Sequence, residues 1–513
     1  MKVAISFLGG VVGDLTKSSI LVSVNRSGYE TNILVDCGLW QGSKSRFYER
    51  NMELDVDPTT LDAVLITHAH VDHLGRLPVL HNNGLGHDGK EKVFCTKPTF
   101  SLVRIMLLDT ANIAERESLR RIHKEEEINR KTVKDIRKTF KNNGRKEVLD
   151  RFNIGWAIKP YSILEAEESM KLFKGNGYSY GEWFKIAKKV EAKFYPSGHV
   201  LGGAIIVLRI KGDNFDERSV TIGFSGDLGR KDGIILPPPK IIEESLDYWV
   251  TESTYGGIIH PDRLVEVEKI KSLVRECGEK KGKLFIPSFA LERAQEIIYL
   301  LSYFMFKKDI PRLPIFLDSP MATDILDVFS ANWKTQLFKD QYKLNFNPFN
   351  AHSNKFLKIS RTFEQSEGLI SGRGPYIIIA GSGMGDAGRI RGHYKKGLAS
   401  NRNIVAMIGY AVSGTLNRAI IDGQKRIKID GKYYSVKAKI EKFGSFSAHA
   451  DKNFLTEYTE EVCNKSPNLK GIFINHGGEN NGIAMQRNLV ELLGDEWEDK
   501  IVIPRLYDQF VLF

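Results

Sequence analysis

One run of nine residues, THAHVDHLG at positions 67–75, constrains this chain more than any other feature of its sequence. The run follows LDAVLIT, an apolar segment with the length of a short buried strand. It contains four side chains of the kinds that bind metals: His68, His70, Asp72 and His73. Histidines two positions apart in extended backbone project to one side, and the two residues that follow in a turn can face a second point. Because imidazole and carboxylate groups are good zinc ligands, the run predicts a metal site with two centres.

Three later segments each carry another side chain of a ligand type, beside glycines or at the end of a predicted strand: His199 in PSGHVLGG, Asp227 in FSGDLGR and His476 in FINHGG. A carboxylate at Asp227 can bridge two cations. We interpret Asp36, in NILVDCG, as a carboxylate that accepts the second ring N–H of a ligand histidine and fixes its orientation. Complementary ligands in several segments predict one shared constellation.

Composition narrows the cellular setting. No apolar run reaches about 18 residues, so no membrane span is expected. The apolar N-terminus is broken by Gly9, Gly10 and Asp14, which predicts a strand and loop and not a signal peptide. None of the four cysteines lies in a CxxC pair, which favours a reducing cytoplasm. The formal net charge of +11 favours a polyanionic partner such as nucleic acid.

The rest of the chain contains two contrasting stretches. Between residue 256 and about residue 435, apolar strands such as KLFIPSFA and PYIIIAGSG alternate with helical segments, which indicates a parallel α/β sheet. Residues 115–151 are densely charged and carry recurring apolar residues, which predicts one or two amphipathic helices. We interpret this stretch as a solvated helical insertion. A surface for RNA, for a protein partner or for a homodimer is the open alternative.

The ligand-bearing segments resemble the metallo-β-lactamase superfamily, and later segments resemble its β-CASP nucleases. The early matches are DCGLWQG, THAHVDHLG, PSGHVLGG and FSGDLGR. The later matches are ESTYG, PSFALERAQE, LDSPMA, AGSGMGDAGRI, GYAVSGTLNRAIIDG and FSAHAD. Since these segments follow the family's order, the chain is identified as a member, and it is most similar to bacterial and archaeal endoribonucleases related to the eukaryotic pre-mRNA cleavage-and-polyadenylation endonuclease.

The resemblance implies an α/β fold, an αββα metallo-β-lactamase sandwich with an inserted α/β β-CASP domain. The first part of the metallo-β-lactamase domain would span residues 1–255 and the β-CASP domain residues 256–439. Residues 440–513 would return to complete the first domain.

The resemblance also implies a ligand set for two Zn²⁺ ions per chain. In the family pattern, His68, His70 and His199 bind one zinc, Asp72, His73 and His476 bind the other, and Asp227 bridges. Glu252 matches the family's acidic motif, and His449 matches its catalytic histidine. The position of His476 is His in the RNA-cutting branch and Val in the DNA-repair branch, which favours RNA.

The expected activity is zinc-dependent hydrolysis of single-stranded RNA, endonucleolytic, leaving 5′-phosphate and 3′-hydroxyl ends. Asp72 and Asp227 would act with the metals, and His449, held by Glu252, would protonate the departing ribose oxygen. We expect four residues of the β-CASP segments to contact phosphates and so to read the backbone, not the sequence: Ser288, Ser319, Ser382 and Arg389.

Three other functions stay open at this point. The first is a DNA nuclease of the same fold, which His476 disfavours. The second is a noncatalytic scaffold or partner subunit, a role taken by relatives that have lost metal ligands, whereas all seven ligand positions are filled here. The third is a small-molecule hydrolase, which the β-CASP segments disfavour. One departure from the family pattern is HGGEN after His476, which leaves Glu479 without an assigned role.

Overall fold

The computed structural model describes residues 1–42, 46–125, 160–213, 218–335, 337–339, 344–409 and 411–513, with the isolated positions Asp135, Lys138 and Asn142. Beyond residue 125, the amphipathic helices predicted over 115–151 therefore lie outside the described residues, apart from those three positions. The chain divides into two compact units. Unit 1 comprises Met1–Lys231, Pro238–Ile258 and His449–Phe513, and unit 2 comprises Asp232–Pro237 and Ile259–Ala448.

The first part of unit 1 contains most of its strands. The strands are β1 (Lys2–Gly9), β2 (Ser19–Arg26), β3 (Tyr29–Val35), β4 (Leu61–Leu65), β5 (Val93–Phe94), β6 (Trp183–Ala187), β7 (Val190–Pro196), β8 (Ala204–Ile210), β9 (Val220–Phe224) and β10 (Tyr248–Glu252). The α-helices are α1 (Phe47–Met52), α2 (Val71–Leu74), α3 (Leu77–Asn82), α4 (Lys97–Glu125) and α5 (Ile163–Ser169).

Unit 2 alternates strands and helices before the chain returns to unit 1. Its strands are β11 (Lys283–Pro287), β12 (Ile315–Leu317), β13 (Leu357–Ile359), β14 (Tyr376–Ala380), β15 (Ile404–Met407), β16 (Arg426–Ile429), β17 (Lys432–Ser435) and β18 (Lys439–Lys442). Its helices are α6 (Arg263–Glu279), α7 (Arg293–Lys307), α8 (Pro320–Asn332), α9 (Phe363–Ser371), α10 (Ile390–Gly397) and α11 (Leu416–Ile421). The returning segment adds α12 (Lys452–Lys465), β19 (Gly471–Asn475), α13 (Glu479–Leu493), β20 (Ile501–Val502) and β21 (Gln509–Val511).

Unit 1 is built on two sheets. In one, the strand order is β21-β1-β2-β3-β4-β5, and in the other it is β20-β19-β10-β9-β8-β7-β6. Strands β2 and β3 form a hairpin, in which Arg26 pairs with Tyr29 across a two-residue turn. The turn needs a glycine, since Gly28 has a φ of +89°. Strand β21 pairs with β1 and β19 with β10, so the returning segment completes both sheets.

The core of unit 1 lies between these sheets. Alternate side chains of the first sheet, such as Ile5 and Val22, belong to one buried apolar cluster with Phe194 and Ile206 of the second. A second cluster joins the other face of the second sheet to helices α12 and α13. Period-two burial in the strands thus produces a layered α/β sandwich, as the family resemblance implies.

Unit 2 contains the parallel sheet predicted for the middle of the chain. Its order is β13-β12-β14-β11-β15-β18, and all neighbouring strands pair in parallel. Strand β18 ends at Lys442, three residues beyond the expected domain boundary at 439, because it is the edge strand that completes this sheet. Unit 1 resumes only at His449.

The described helices carry no segment both long and apolar enough to cross a bilayer. The predicted ligands follow strand ends of unit 1. Strands β9, β10 and β19 are parallel neighbours, so their carboxyl ends meet at one edge, where Asp227 and His476 follow and Glu252 ends β10. Gly226 has a φ of +53°, and a Cβ there would lie 2.9 Å from Cβ of Thr67, so glycine lets the two sheets approach closely beside the site.

Candidate metal centre

The ligand-type side chains predicted from the sequence lie together in unit 1, in two groups. Within each group the ligand atoms lie within 4.8 Å of one another. The first group is His68, His70, His199 and Asp227, and the second is Asp72, His73 and His476. Except for His70 and Asp72, which are half-buried, these residues are buried.

Asp227 lies between the two groups. Its Oδ2 atom is 3.4 Å from Nε2 of His68 and 3.4 Å from Nε2 of His199. Its Oδ1 atom is 3.4 Å from Nε2 of His73 and 3.3 Å from Nε2 of His476. One carboxylate therefore directs a different oxygen to each group, which is the arrangement that a bridging ligand requires.

In the first group the histidine nitrogens also face a common point. Nδ1 of His70 is 3.0 Å from Nε2 of His68 and 3.3 Å from Nε2 of His199. The three rings lie edge-on to one another, with centroids 4.8 to 5.2 Å apart. Three nitrogens and one carboxylate oxygen form a set of four ligand atoms, the number that structural zinc sites usually have.

The unsatisfied polar atoms of the cluster fit a cation. Among the described residues, neither Nε2 of His73 nor Oδ1 of Asp227 has a hydrogen-bond partner, although both are buried. A buried polar atom without a partner costs about 1–3 kcal/mol. Both atoms face the second group, and a metal ion there would satisfy them, because imidazole nitrogen and carboxylate oxygen are ligands of zinc and similar metals. The first group offers the same kinds of ligand atom. The residues present therefore fit two metal ions.

The protonation of the histidines follows from their surroundings. Burial, together with the neighbouring His73 and His70, lowers the pKa of His68 well below its ordinary value. Burial likewise lowers the pKa of His70 to about 4, so both rings are neutral and can bind a metal. Burial also opposes the charge on His73, but Asp227 and Asp36 outweigh it and raise its pKa to about 10. The carboxylates thus favour positive charge at the second group.

Asp36 contacts the ligand run at His73. Its Oδ2 atom is 2.7 Å from Nδ1 of His73, which leaves Nε2 of that ring directed at Asp227. Asp36 is itself fixed, because it accepts hydrogen bonds from the backbone N–H and the hydroxyl of Thr67 and from the hydroxyl of Ser18. A carboxylate held this firmly sets the direction of the His73 ring.

Glu252 and His449 form a separate pair beside Asp227. Nδ1 of His449 is 3.1 Å from Oε1 of Glu252, and Nε2 of His449 is 3.9 Å from Oδ2 of Asp227. The Glu252 side chain is fully buried, whereas 20% of the His449 side chain is exposed. Glu252 also accepts the backbone N–H groups of Leu228 and Thr254, so the carboxylate is fixed from several sides.

The charge of Glu252 controls the protonation of His449. Burial alone would lower the pKa of His449, but the Glu252 carboxylate and its hydrogen bond raise that pKa to about 9. Conversely, burial would raise the pKa of Glu252, and His449 lowers it. The pair is therefore a carboxylate beside a protonated imidazole at neutral pH, and the imidazolium can give a proton to a group bound near Asp227.

The four predicted phosphate contacts all lie in unit 2. Ser288, Ser319 and Ser382 each follow one of the parallel strands β11, β12 and β14, so they lie at the carboxyl edge of that sheet. Arg389 precedes α10 and donates to Asp318 (2.7 Å) and to the carbonyl of Ser360 (2.9 Å). Its guanidinium is thus anchored within unit 2.

Sequence reasoning missed two groups of supporting residues. The hydroxyl of Thr67 lies 2.9 Å from Asp36 and 3.1 Å from Nδ1 of His68, and its only sequence signal is a polar residue directly before the ligand run. In unit 2, buried Asp318 lies 2.7 Å from Nε2 of His393 and accepts from Arg389, and these hydrogen bonds outweigh burial and lower its pKa to about 2. Asp318 stands in the segment LDSPMA, directly before the predicted phosphate contact Ser319.

Three family models match the chain. The Metallo-beta-lactamase superfamily domain matches residues 26–145, and the Beta-Casp domain matches residues 294–420. The Zn-dependent metallo-hydrolase RNA specificity domain matches residues 433–504. These matches follow one another in the order that the sequence motifs predict.

Curated proteins resemble the chain over most of its length. A ribonuclease from Thermus thermophilus is 29% identical, with 90% of this chain and 91% of that protein covered. The transcription termination factor FttA from Methanosarcina mazei is 28% identical, with 93% of this chain and 67% of that protein covered. Integrator complex subunit 11 from Danio rerio is 28% identical, with 86% of this chain and 64% of that protein covered.

Proposed function

The chain belongs to the β-CASP family of the metallo-β-lactamase superfamily, and from this and the geometry of its site we propose that it is a zinc-dependent ribonuclease. The proposed substrate is single-stranded RNA, and the proposed cut is endonucleolytic. The expected products carry 5′-phosphate and 3′-hydroxyl ends.

The position of Asp227 carries this proposal. Its two oxygens face separate histidine groups at 3.3 to 3.4 Å, and one of them is buried with no hydrogen-bond partner among the described residues. His68, His70 and His199 would hold one ion, and Asp72, His73 and His476 the other. When bound, a pair of divalent metal ions supplies Lewis acidity toward a phosphoryl oxygen and makes water reactive at neutral pH.

His449 is the proposed proton donor. Its Nδ1–H donates to Glu252, which leaves Nε2 on the side of Asp227, where the scissile phosphate would lie. A departing ribose 3′ oxygen is strongly basic, so it needs a proton as its bond to phosphorus breaks. A donor at that position supports cleavage that leaves the 3′-hydroxyl on one fragment and the phosphate on the other.

Several observations support RNA as the substrate. The residue at the second metal group is His476, which the RNA-cutting branch carries at that position. A relative covered over 91% of its length is named a ribonuclease, and the model that matches residues 433–504 is named for RNA specificity. Ser288, Ser319, Ser382 and Arg389 are proposed to contact phosphates, which would give loose sequence specificity.

A matched-substrate assay tests the proposal. Purified protein is incubated with single-stranded RNA and DNA of the same sequence, with and without chelator, and its bound metal is measured. We expect RNA cleavage that chelator abolishes and zinc restores, with fragments whose 5′ ends can be ligated directly because they carry phosphate. Preferential DNA cleavage would replace the proposal with a DNA nuclease. A fully metal-loaded protein that cleaves neither the RNA nor the DNA would refute the proposed nuclease activity.

A further inference from the structure

A strongly basic β-hairpin belongs to unit 2, whereas every residue of the proposed metal centre belongs to unit 1. Strand β16 pairs with β17 in antiparallel register, from Arg426 opposite Ser435 to Ile429 opposite Lys432. Residues 425–439 contain six basic residues, Lys425, Arg426, Lys428, Lys432, Lys437 and Lys439, and a single acid, Asp430. None of these residues is among the ligand-type side chains of the metal centre.

The two faces of this hairpin differ. Ile427 and Ile429 are buried in the apolar core of unit 2, and Tyr434, opposite Ile427, packs against the same core. The alternate residues Arg426 and Lys428 are exposed, as is Tyr433 directly opposite Lys428. Because one face is anchored in the core, the other face presents its cations and its aromatic ring on a rigid support.

Most of the positive charge on this hairpin is uncompensated. Asp430, in the turn, pairs with Lys395 at 2.6 Å and with Arg391, both of α10, so its charge is already neutralised. Lys439 pairs with Glu276 and Glu441. The other five basic residues of the segment have no ion-pair partner in the part of the chain that the structure describes: Lys425, Arg426, Lys428, Lys432 and Lys437. Such a patch attracts a polyanion.

Tyr433 distinguishes this surface from an ordinary solvated face. It exposes 61% of its surface, which is unusual for a large aromatic side chain on a strand. The guanidinium carbon of Arg426 lies 5.4 Å from the centroid of its ring, and Nζ of Lys428 lies 5.9 Å from it. Exposed lysines alone serve solubility, but an exposed ring set among cations matches the combination that binds single-stranded nucleic acid, in which bases stack on rings and phosphates meet basic side chains.

We propose that the outer face of the β16–β17 hairpin, formed by Arg426, Lys428 and Tyr433, is a second RNA-binding surface outside the metal centre. The choice of RNA as its occupant rests on the proposed function. Arg426 and Lys428 contact phosphates, and the Tyr433 ring stacks on a base. Binding through such contacts is independent of sequence and sensitive to salt.

The test measures RNA binding by the full chain in chelator, so that cleavage does not interfere. The probe is a labelled single-stranded RNA of about 30 nucleotides, titrated at several salt concentrations. Arg426→Gln combined with Lys428→Gln removes two phosphate contacts, and Tyr433→Ala removes the ring while Tyr433→Phe keeps it. The control combines Lys307→Gln with Lys355→Gln, which changes the net charge equally at exposed positions elsewhere in unit 2. Thermal melts of all variants verify folding.

The double variant Arg426→Gln, Lys428→Gln should raise the Kd about 10-fold at about 0.1 M salt, which is near physiological strength. Its plot of log K against log salt should be less steep by roughly 1.4, because two phosphate contacts are lost. Tyr433→Ala should raise the Kd about 5-fold or more, and Tyr433→Phe and the lysine control should bind like wild type. Wild-type Kd and slope in folded hairpin variants would overturn the proposal, as would a loss of binding to DNA but not to RNA.

The same preparations separate this surface from the proposed function. Hairpin-dependent RNA binding by a protein that cleaves no RNA when loaded with zinc would keep the surface and refute the ribonuclease proposal. RNA cleavage by the wild type, with unaltered binding in the hairpin variants, would refute the surface alone.

Discussion

Glu252 and His449 stand 197 positions apart in the chain, yet Nδ1 of His449 lies 3.1 Å from a carboxylate oxygen of Glu252. The carboxylate is buried and also accepts two backbone N–H groups, so it cannot turn away from the ring. His449 is therefore held in one orientation, with Nε2 toward Asp227. This contact joins the end of β10 to the segment that returns from unit 2.

His449→Ala should leave both metal ions bound and lower kcat by about 10²–10⁴-fold, because a general acid contributes that much to a proton transfer. Zinc per chain by mass spectrometry and kcat on single-stranded RNA are the two measurements. The alternative has a structural basis, since His449, Glu252 and Asp227 also have ligand atoms within 4.8 Å of one another. Loss of one zinc in the variant would make His449 a ligand and not a proton donor.

Asp227→Ala should lower zinc content from about two ions per chain toward none and abolish cleavage, because this carboxylate serves both groups. The matched control is Asp232→Ala, an acidic residue of unit 2 outside the cluster. If the Asp227 variant kept two zinc ions, Asp227 would not be the bridging ligand.

Asp36→Asn should weaken zinc binding by about 10- to 100-fold without removing a ligand, since it loosens the orientation of His73. Competition with a metal-binding dye gives the affinity. Excess zinc should restore much of the activity in this variant, whereas it should not restore activity in Asp227→Ala. Unchanged zinc affinity would show that Thr67 and the backbone suffice to position the ligand run.

Asp55→Asn should lower the free energy of unfolding by about 3–5 kcal/mol, because it leaves Lys17 and Arg76 buried without their shared carboxylate. Asp88→Asn is the control, since Asp88 is itself exposed and its ion pairs with Lys90 and Lys92 should contribute less than about 1 kcal/mol. Chemical denaturation compares the two. A cost for Asp55→Asn no larger than that of the control would show that the buried pair adds no stability.

The same aspartate predicts a pH dependence. Burial would raise the pKa of Asp55, but Arg76 and Lys17 outweigh burial and lower it. A lowered folded pKa means that this contribution to stability is complete above the unfolded pKa of about 3.9 and is lost as the pH falls through the folded value. The stability difference between wild type and Asp55→Asn should therefore persist at neutral pH and shrink only in acid. A difference that shrinks between pH 7 and about pH 5 would contradict this.

The sequence predicts the site best where ligands are local. His68, His70, Asp72 and His73 stand within six positions, so their proximity follows from the backbone alone. His199, Asp227 and His476 could be assigned to the same site because each stands in a segment at a predicted strand end, and the ends of parallel strands lie at one edge of a sheet. The family resemblance supplied the roles of Glu252 and His449.

Other features depend on packing that no local pattern encodes. The hydrogen bonds from Thr67 to Asp36 and from Leu228 to Glu252 join strands far apart in the chain, and nothing in their spacing predicts them. The anchoring of Arg389 by Asp318 and Ser360 arises in the same way. The exposed face of β16–β17 was also missed, because its alternation is short and its charges resemble any solvated segment until the buried partners Ile427 and Ile429 are seen.

Incubation of the zinc-loaded chain with a circular single-stranded RNA tests the central claim most directly, since a circle offers no end to an exonuclease. We predict that the circle is opened to a linear product, that chelator prevents this, and that Asp227→Ala protein leaves the circle intact. An intact circle with fully loaded wild-type protein would contradict the endonuclease, and opening by the Asp227→Ala protein would contradict the bridged metal centre.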